Sequence, residues 1–298
     1  MTISISSGVM SSSLPQILSR SQNGAIHSLF EQSFNIKFEE DLVNVNRKGN
    51  QLSSFGVNVP ESNIKAILST ISVGDLVKAR DAKIVIYSRA GTIFEFETAR
   101  FSTLDTVLRP IEAAPNRLSL IHQVLSQSGF ALNLGLRFTE QDQNNLASLL
   151  KEQPNSKSFV KASQYFVGRG MGLTPSGDDI LTGFFFMLKL FSHDLVLTPS
   201  LIDFISQKTT AISVAYLKNL FNGYISEYFV AFGNAAAGED LISLQSTVET
   251  IKAIGHTSGY DTLLGMSLGI SKIEGETENS FIWKAIQSQC FSQSINGG

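Results

Sequence analysis

The sequence predicts an α+β protein, in which a strand-rich N-terminal barrel or sandwich is followed by an all-helical C-terminal domain. Apolar and polar residues alternate with a period of two between about residues 20 and 105. After Pro110 the apolar residues recur with a period near 3.6. A chain of 298 residues is long for one core. We therefore predict two domains, over residues 1–110 and 111–298.

The N-terminal elements are separated by turn signals. Alternating residues lie on both sides of Lys48-Gly49-Asn50 and again on both sides of Ala90-Gly91. Residues 61–71 between these two regions have helical spacing. Several short strands joined by tight turns are typical of a small barrel or sandwich.

The C-terminal part predicts a series of helices. Thr139 is a good N-cap for the helix that follows it, and Gly129 and Gly168 lie just past two predicted helix ends. We predict one continuous helix over residues 199–221. The run Phe184 to Phe186 is expected in the core.

Composition and charge exclude several classes of protein. Hydrophobic residues make up 43% and charged residues 16% of the chain, which is typical of a globular protein. A net charge of −3 without a basic run argues against a nucleic-acid partner. The longest apolar run, Ile180 to Phe191, is too short to span a bilayer. The N-terminus has no basic n-region and no continuous apolar h-region, so we do not expect it to be a secretion signal. We expect a cytoplasmic protein without a membrane partner, and the single Cys290 excludes an intramolecular disulfide.

Two stretches share one pattern of residues. "GLTPSGDDILTG" begins at Gly172, and "GHTSGYDTLLG" begins at Gly255. Five residues of the first stretch recur in the second, each 82 residues later: Ser176, Gly177, Asp179, Leu181 and Gly183 become Ser258, Gly259, Asp261, Leu263 and Gly265. Two short copies suggest an internal pseudo-repeat.

Each copy places a glycine-containing turn before an apolar helix, which is the usual composition of an anion site at a helix N-terminus. We expect Ser176 and Ser258 to be N-caps. Arg169 lies just upstream and could clamp a carboxylate or phosphate. The predicted ligand-binding residues are Arg169, Gly172, Thr174, Ser176, Gly177, Asp178, Thr257, Ser258 and Gly259.

The acids in the first turns of the two predicted helices have two possible functions. Asp178, Asp179 and Asp261 could hold Mg²⁺ beside a phosphate, or they could transfer protons together with His256. We predict Asp179, Asp261 and His256 as catalytic residues, no protein metal ligands, and Mg²⁺ only as a possible cofactor. Ordinary helix-start chemistry, with glycines for close helix packing, is the competing structural interpretation. Zinc is not expected, because His27, His122 and His193 stand singly.

The two motifs together resemble the AllH-like family, which includes a subunit of the oxamate carbamoyltransferase of anaerobic allantoin breakdown. The segment "TTAISVAYL", starting at Thr209, is similar to the family's stretch between the motifs. The resemblance implies a transferase of purine catabolism that moves a carbamoyl group between oxalurate and phosphate, giving oxamate and carbamoyl phosphate. It also implies partner protein subunits. Tyr260 departs from the small residues common at that position.

Three functions therefore stay open. The first is an enzyme or enzyme subunit for carbamoyl transfer, which binds phosphate, carbamoyl phosphate or oxalurate. The second is a non-catalytic protein that binds a small anion or supports a partner enzyme. The third is an Mg²⁺-dependent enzyme of phosphoryl transfer.

Overall fold

The computed structural model of the chain describes residues 1–80, 82–196, 198–276, 282–283 and 286. It contains two compact units. The strand unit comprises Met1–Val107 and Gly223–Glu227, and the helical unit comprises Leu108–Asn222 and Tyr228–Gly298. Cys290 lies outside the described residues.

The strand unit is built on one curled sheet of ten strands among the described residues. The strands are β1 (Thr2–Ile5), β2 (Val9–Ser11), β3 (Asn23–Leu29), β4 (Ser33–Phe38), β5 (Asp41–Arg47), β6 (Gly56–Val59), β7 (Leu76–Arg80), β8 (Lys83–Tyr87), β9 (Ile93–Glu97) and β10 (Ser102–Leu104). Their order across the sheet is β1-β9-β8-β7-β3-β4-β5-β6-β2-β10. The three pairs β1–β9, β5–β6 and β2–β10 are parallel, and the other neighbours are antiparallel.

Alternation places one face of these strands in a core. In β9, Phe94 and Phe96 are buried while the residues between and beside them are partly exposed. The predicted turn at Ala90-Gly91 joins β8 to β9, and Gly91 has a positive φ of 82°. The turn at Lys48-Gly49-Asn50 follows β5, but β5 and β6 pair in parallel. The α+β fold class predicted from the sequence is confirmed.

Two helices belong to this unit, α1 (Leu14–Arg20) and α2 (Glu61–Leu68). The short segment Gly223–Glu227 also belongs to it through backbone contacts. The Ile225 N–H donates to the Thr106 carbonyl at 2.8 Å, and the Glu227 N–H donates to the Leu52 carbonyl at 3.0 Å. The unit therefore takes one segment from a distant part of the chain.

The helical unit contains nine α-helices within the described residues. They are α3 (Pro115–Gln127), α4 (Glu140–Lys151), α5 (Lys157–Phe166), α6 (Ser176–Leu190), α7 (Pro199–Lys208), α8 (Ala211–Phe221), α9 (Glu227–Ala237), α10 (Leu241–Lys252) and α11 (Ser258–Ile273). Thr139 caps α4 as predicted, in a capping box with Asp142. Gly129 and Gly168 have positive φ values of 69° and 72°, consistent with their predicted places after helix ends.

One predicted helix is two helices. The single helix predicted over residues 199–221 was wrong, because the chain leaves helical geometry at Thr209 and Thr210. Thr210 is the N-cap of α8, where its side chain accepts a hydrogen bond from the Ser213 N–H at 3.1 Å. The two threonines therefore start a helix instead of continuing one.

The core of the helical unit centres on α6 and α11. Phe184, Phe185 and Phe186 are buried, which confirms the core prediction for this run. Every residue of α11 from Asp261 to Ser271 is buried as well. In the part of the chain that the structure describes, no helix is long and apolar enough to cross a membrane.

Candidate functional site

Helices α6 and α11 touch along their backbones at two equivalent glycines. A Cβ atom at Gly183 would lie 2.1 Å from the Thr262 carbonyl oxygen, and one at Gly265 would lie 2.0 Å from the Ile180 carbonyl oxygen. Gly265 lies 82 residues after Gly183, and Thr262 lies 82 residues after Ile180. Each contact is therefore the counterpart of the other in the repeat. The helices are therefore related by an approximate two-fold axis, and the repeat seen in the sequence is a repeat in space.

This crossing brings the two helix starts together. The hydroxyls of Thr174 and Ser258 are 3.0 Å apart. A Cβ atom at Gly135 would lie 2.1 Å from Ser176 Oγ, 2.7 Å from Thr257 Oγ1 and 3.0 Å from Asp261 Oδ2, so these three oxygens converge beside one glycine. The two motifs therefore meet in space.

Each motif's aspartate lies beside the serine of the other motif. The hydroxyls of Ser258 and Thr174 lower the pKa of Asp179, and those of Ser176 and Thr257 lower the pKa of Asp261. The Gly135 N–H also donates to Asp261 Oδ1 at 3.0 Å. We name these six side chains the acid–hydroxyl cluster: Thr174, Ser176, Asp179, Thr257, Ser258 and Asp261.

Burial controls the charge of this cluster. It raises the pKa of Asp179 well above the usual range, and the nearby Asp261 charge raises it further, although the Ser258 hydroxyl opposes the rise. Burial also raises the pKa of Asp261 to about 6, against the lowering effect of the Gly135 N–H and the hydroxyls of Ser176 and Thr257. Asp261 is fully buried. Asp179 is partly exposed as a residue, but its Oδ2 atom is shielded from solvent.

One oxygen of each acid lacks a hydrogen-bond partner. These atoms are Oδ2 of Asp179 and Oδ2 of Asp261, and both are buried. An unsatisfied buried carboxylate oxygen is costly, and a bound proton removes most of that cost. The pair is therefore suited to hold a proton near neutral pH and to pass it to a ligand.

Asp178 faces away from this cluster. It is buried, accepts a hydrogen bond from the Gly168 N–H at 2.8 Å, and accepts another from the Thr209 hydroxyl. Burial raises its pKa, whereas the Thr209 and Gly168 hydrogen bonds lower it. These two hydrogen bonds of Asp178 therefore link the loop before α6 to the break between α7 and α8.

The Arg169 guanidinium is engaged by an ion pair. Its Nη2 lies 2.8 Å from Asp142 Oδ1, and its Cζ lies 4.5 Å from the centre of the Tyr165 ring. The Tyr165 hydroxyl donates to the same Asp142 oxygen at 3.1 Å. The arginine is thus held in one orientation, with about a third of its side chain, 36%, exposed to solvent.

Two predicted details of the helix starts were wrong. Ser176 and Ser258 are the first residues of their helices and not the N-caps, which are Pro175 and Thr257, and neither cap makes a side-chain capping bond. Each serine instead faces the acid of the other motif, because the crossing of α6 and α11 brings the two helix starts together.

Gly177 and Gly259 are needed for packing within the protein. Their N–H groups donate to the carbonyls of Arg169 and Ile254, at 2.8 and 3.0 Å. A Cβ atom at either glycine would lie 2.0 Å from a carbonyl oxygen of the preceding helix. These packing contacts account for the glycine in both motifs, and no bound ligand is needed to explain it.

The remaining predicted residues lie on the surface. His256 is exposed, and its carbonyl accepts a hydrogen bond from the Asn133 side chain at 2.6 Å. Gly172 is exposed with a positive φ of 100°, and a Cβ atom there would meet open space.

Two residues near the cluster were not predicted. Gly135 lies in no motif, and its role depends on contacts with Ser176 and with Thr257 and Asp261, of which the last two are more than a hundred positions away. Tyr216 on α8 has a pKa raised to about 12, first by burial and then by the charge of Asp179. It belongs to the "TTAISVAYL" segment, whose similarity to the family's stretch between the motifs was the available sequence signal for Tyr216.

The fold and the site together define a class of protein. It is an α+β protein in which two crossed helices with Ser-Gly-x-Asp starts form a buried acid–hydroxyl cluster. The strand unit supplies none of the six side chains of this cluster.

The family comparison points to the same part of the chain. Residues 166–270 match the family described as oxamate carbamoyltransferase subunit AllH. The match begins in α5 and ends in α11, so it includes both motifs and all six residues of the cluster. The resemblance inferred from the motifs is confirmed over these residues. No solved structure matches the chain.

Proposed function

We propose that the chain is a carbamoyltransferase subunit whose acid–hydroxyl cluster moves the proton during carbamoyl transfer between oxalurate and phosphate. A phosphate oxygen attacks the ureido carbonyl carbon and forms a C–O bond. The bond from that carbon to the oxamate nitrogen breaks. Phosphate gives up one proton and the leaving nitrogen takes up one, so the products are carbamoyl phosphate and oxamate.

The crossed placement of Asp179 and Asp261 carries this proposal. The reaction needs a group that gives a proton and a group that takes one, within reach of the same carbon. Two acids with raised pKa values, each beside the other motif's serine, are suited to these two roles. We assign the donor role to Asp179 and the acceptor role to Asp261, because the pKa of Asp261 is about 6.

The hydroxyls of the cluster would stabilise charge on the reacting carbonyl. Thr174 and Ser258 lie 3.0 Å apart and offer O–H donors in a largely buried place, where such donors are most effective. Protonation of Asp179, which its raised pKa favours, would also avoid the repulsion that an ionised acid exerts on phosphate.

Arg169 is the best candidate for binding the substrate carboxylate. Its guanidinium is held by Asp142 and the Tyr165 ring, so little conformational freedom is lost when a ligand binds. We further propose that Gly172 lies on the approach path and that His256 exchanges protons with solvent.

We propose that the chain acts together with partner subunits. The family description names the AllH protein as a subunit, and Met171 and Leu173 are exposed on the loop that precedes α6. We propose that the other subunits of the enzyme supply further contacts to the substrate.

The test is an assay of carbamoyl transfer by the chain together with its partner subunits. Asp179→Asn and Asp261→Asn should each lower kcat by roughly 10²–10⁴-fold while substrate binding changes little. Asp203→Asn is the matched control, because Asp203 is an exposed aspartate on α7 and should leave the rate unchanged. Full activity in both variants would contradict the proposal.

The same assay separates the other two functions. A non-catalytic anion-binding or scaffold protein would bind phosphate or oxalurate, but neither the parent nor the variants would show catalytic activity. Repeating the assay in excess chelator tests Mg²⁺-dependent phosphoryl transfer, which predicts that all turnover disappears. Full activity in chelator would eliminate that alternative.

A further inference from the structure

We propose that His122, Glu274 and Glu276 form a binding site for one divalent transition-metal ion, beside the C-terminal end of α11. The three residues lie outside the stretch that matches the AllH family and outside the acid–hydroxyl cluster. The proposal is independent of the proposed carbamoyl transfer.

The chain geometry at the end of α11 brings the two glutamates together. Gly275 has a positive φ of 76°, its N–H donates to the Lys272 carbonyl at 3.2 Å, and the Glu276 N–H donates to the Ser271 carbonyl at 2.9 Å. This pair of bonds is a Schellman motif, which reverses the chain after a helix. The glutamates on either side of the glycine therefore lie close together and face α3.

The distances suit a single ion. His122 Nδ1 lies 2.7 Å from Glu274 Oε2, and one ligand atom from each of the three residues lies within 4.8 Å of the other two. Two donors on one tetrahedral ion, each about 2.0–2.2 Å from it, are about 3.3 Å apart. Three donor atoms within 4.8 Å of one another are near enough for side-chain rotation to bring them around one ion.

The donor atoms indicate the kind of ion. One imidazole nitrogen and two carboxylate oxygens are typical ligands of Zn²⁺, and they also suit Mn²⁺ and Fe²⁺. Ca²⁺ and Mg²⁺ prefer oxygen ligands throughout, so the imidazole disfavours them. Two carboxylates balance the charge of a divalent ion.

The site is accessible and has room for further ligands. An open groove of about 570 Å³ is lined by His122 and Glu274 together with Ser119 and Gln123. The side chains of His122 and Glu274 are 28% and 19% exposed, so both are partly withdrawn from water and still reachable. Water or a small ligand could complete the coordination from the groove. A bound ion would join α3 to the end of α11.

Metal binding can be measured on the full-length chain. Cys290→Ser serves as the background, because a thiolate is a strong zinc ligand. After treatment with chelator and its removal, titration calorimetry with Zn²⁺ should give one bound ion per chain. His122→Gln and Glu276→Gln should each weaken binding at least about tenfold. His27→Gln, an exposed histidine of the strand unit, is the control and should bind as the parent does.

A second measurement reports the coordination directly. Co²⁺ in place of Zn²⁺ should give visible absorption bands that disappear in His122→Gln and persist in His27→Gln. Circular dichroism of the metal-free variants shows whether they are folded. Binding that is absent in the parent, or unchanged in a His122→Gln/Glu276→Gln double variant, would overturn the proposal. Neither result affects the test of carbamoyl transfer.

Discussion

Asp179 and Asp261 differ from ordinary first-turn acids of helices in their surroundings. An exposed acid at a helix start is stabilised in its charged form by the N-terminal N–H groups and the macrodipole. Here burial opposes that effect, and the serines of the opposite motifs are the main hydroxyl partners. The crossing of the two helices therefore changes a common stabilising residue into an acid with an unusual proton affinity.

This proton affinity makes stability depend on pH through Asp261. In the folded protein its pKa is about 6, whereas an aspartate in an unfolded chain titrates near pH 3.9. The folded state binds more protons between these values, so the free energy of unfolding falls as the pH rises from about 4 to about 6 and stays lower above. The loss amounts to at most about 3 kcal/mol.

Asp261→Asn removes the ionisable group and keeps an oxygen that can accept the Gly135 N–H. We expect urea unfolding to become less sensitive to pH in this variant, so that between pH 4.5 and 7.5 its stability improves relative to the parent. Asp203→Asn should follow the parent throughout. Parallel pH profiles for Asp261→Asn and the parent would show that the acid is not perturbed.

The contact between α6 and α11 depends on glycines that leave no room for a side chain. Gly265→Ala would place a methyl group 2.0 Å from the Ile180 carbonyl oxygen, so the helices must separate. We expect a loss of about 1–3 kcal/mol or more in the free energy of unfolding, together with reduced activity, because the cluster lies at the start of the same crossing.

Gly233→Ala is the matched control for this change. Gly233 is also helical, but a Cβ atom there would lie at an ordinary 3.5 Å from Leu190 Cδ1. Alanine should stabilise α9 by up to about 1 kcal/mol through its higher helix propensity. Similar effects of both substitutions in thermal unfolding would mean that α6 and α11 are not in close contact.

Sequence patterns predicted most of the helices and strands, because periodicity and capping are local properties. Thr139 and Gly129 marked helix ends correctly for this reason. The break at Thr209 and Thr210 was missed because the apolar pattern continues through it. The two motifs could be found from their shared residues. The placement of each serine beside the aspartate of the other motif depends on how the helices cross. Gly135 and the pairing of His122 with Glu274 depend on contacts across more than a hundred residues.

The strand unit also depends on contacts between distant residues, which local sequence patterns do not predict. Its last contribution, Gly223–Glu227, follows more than a hundred residues of the helical unit. No change of composition marks this segment, since its place depends on backbone hydrogen bonds to Leu52 and Thr106. The strand unit is therefore complete only after most of the chain has been synthesised.

Glu227 gives a direct test of this dependence. Its Oε2 accepts a hydrogen bond from the Leu52 N–H at 2.8 Å, and Leu52 is almost fully buried. Glu227→Ala leaves that N–H without its acceptor, so we expect a loss of about 1–3 kcal/mol in the free energy of unfolding.

The conservative variant separates this bond from a general effect of substitution. Glu227→Gln keeps an oxygen that can accept, so most of the stability should return, whereas Glu249→Ala, at an exposed ion pair, should change it by no more than about 0.5 kcal/mol. Urea unfolding monitored by circular dichroism measures all three variants. If Glu227→Ala were as stable as the parent, the segment would not be needed to complete the strand unit. If Glu227→Gln lost as much as Glu227→Ala, the negative charge would matter more than the acceptor oxygen.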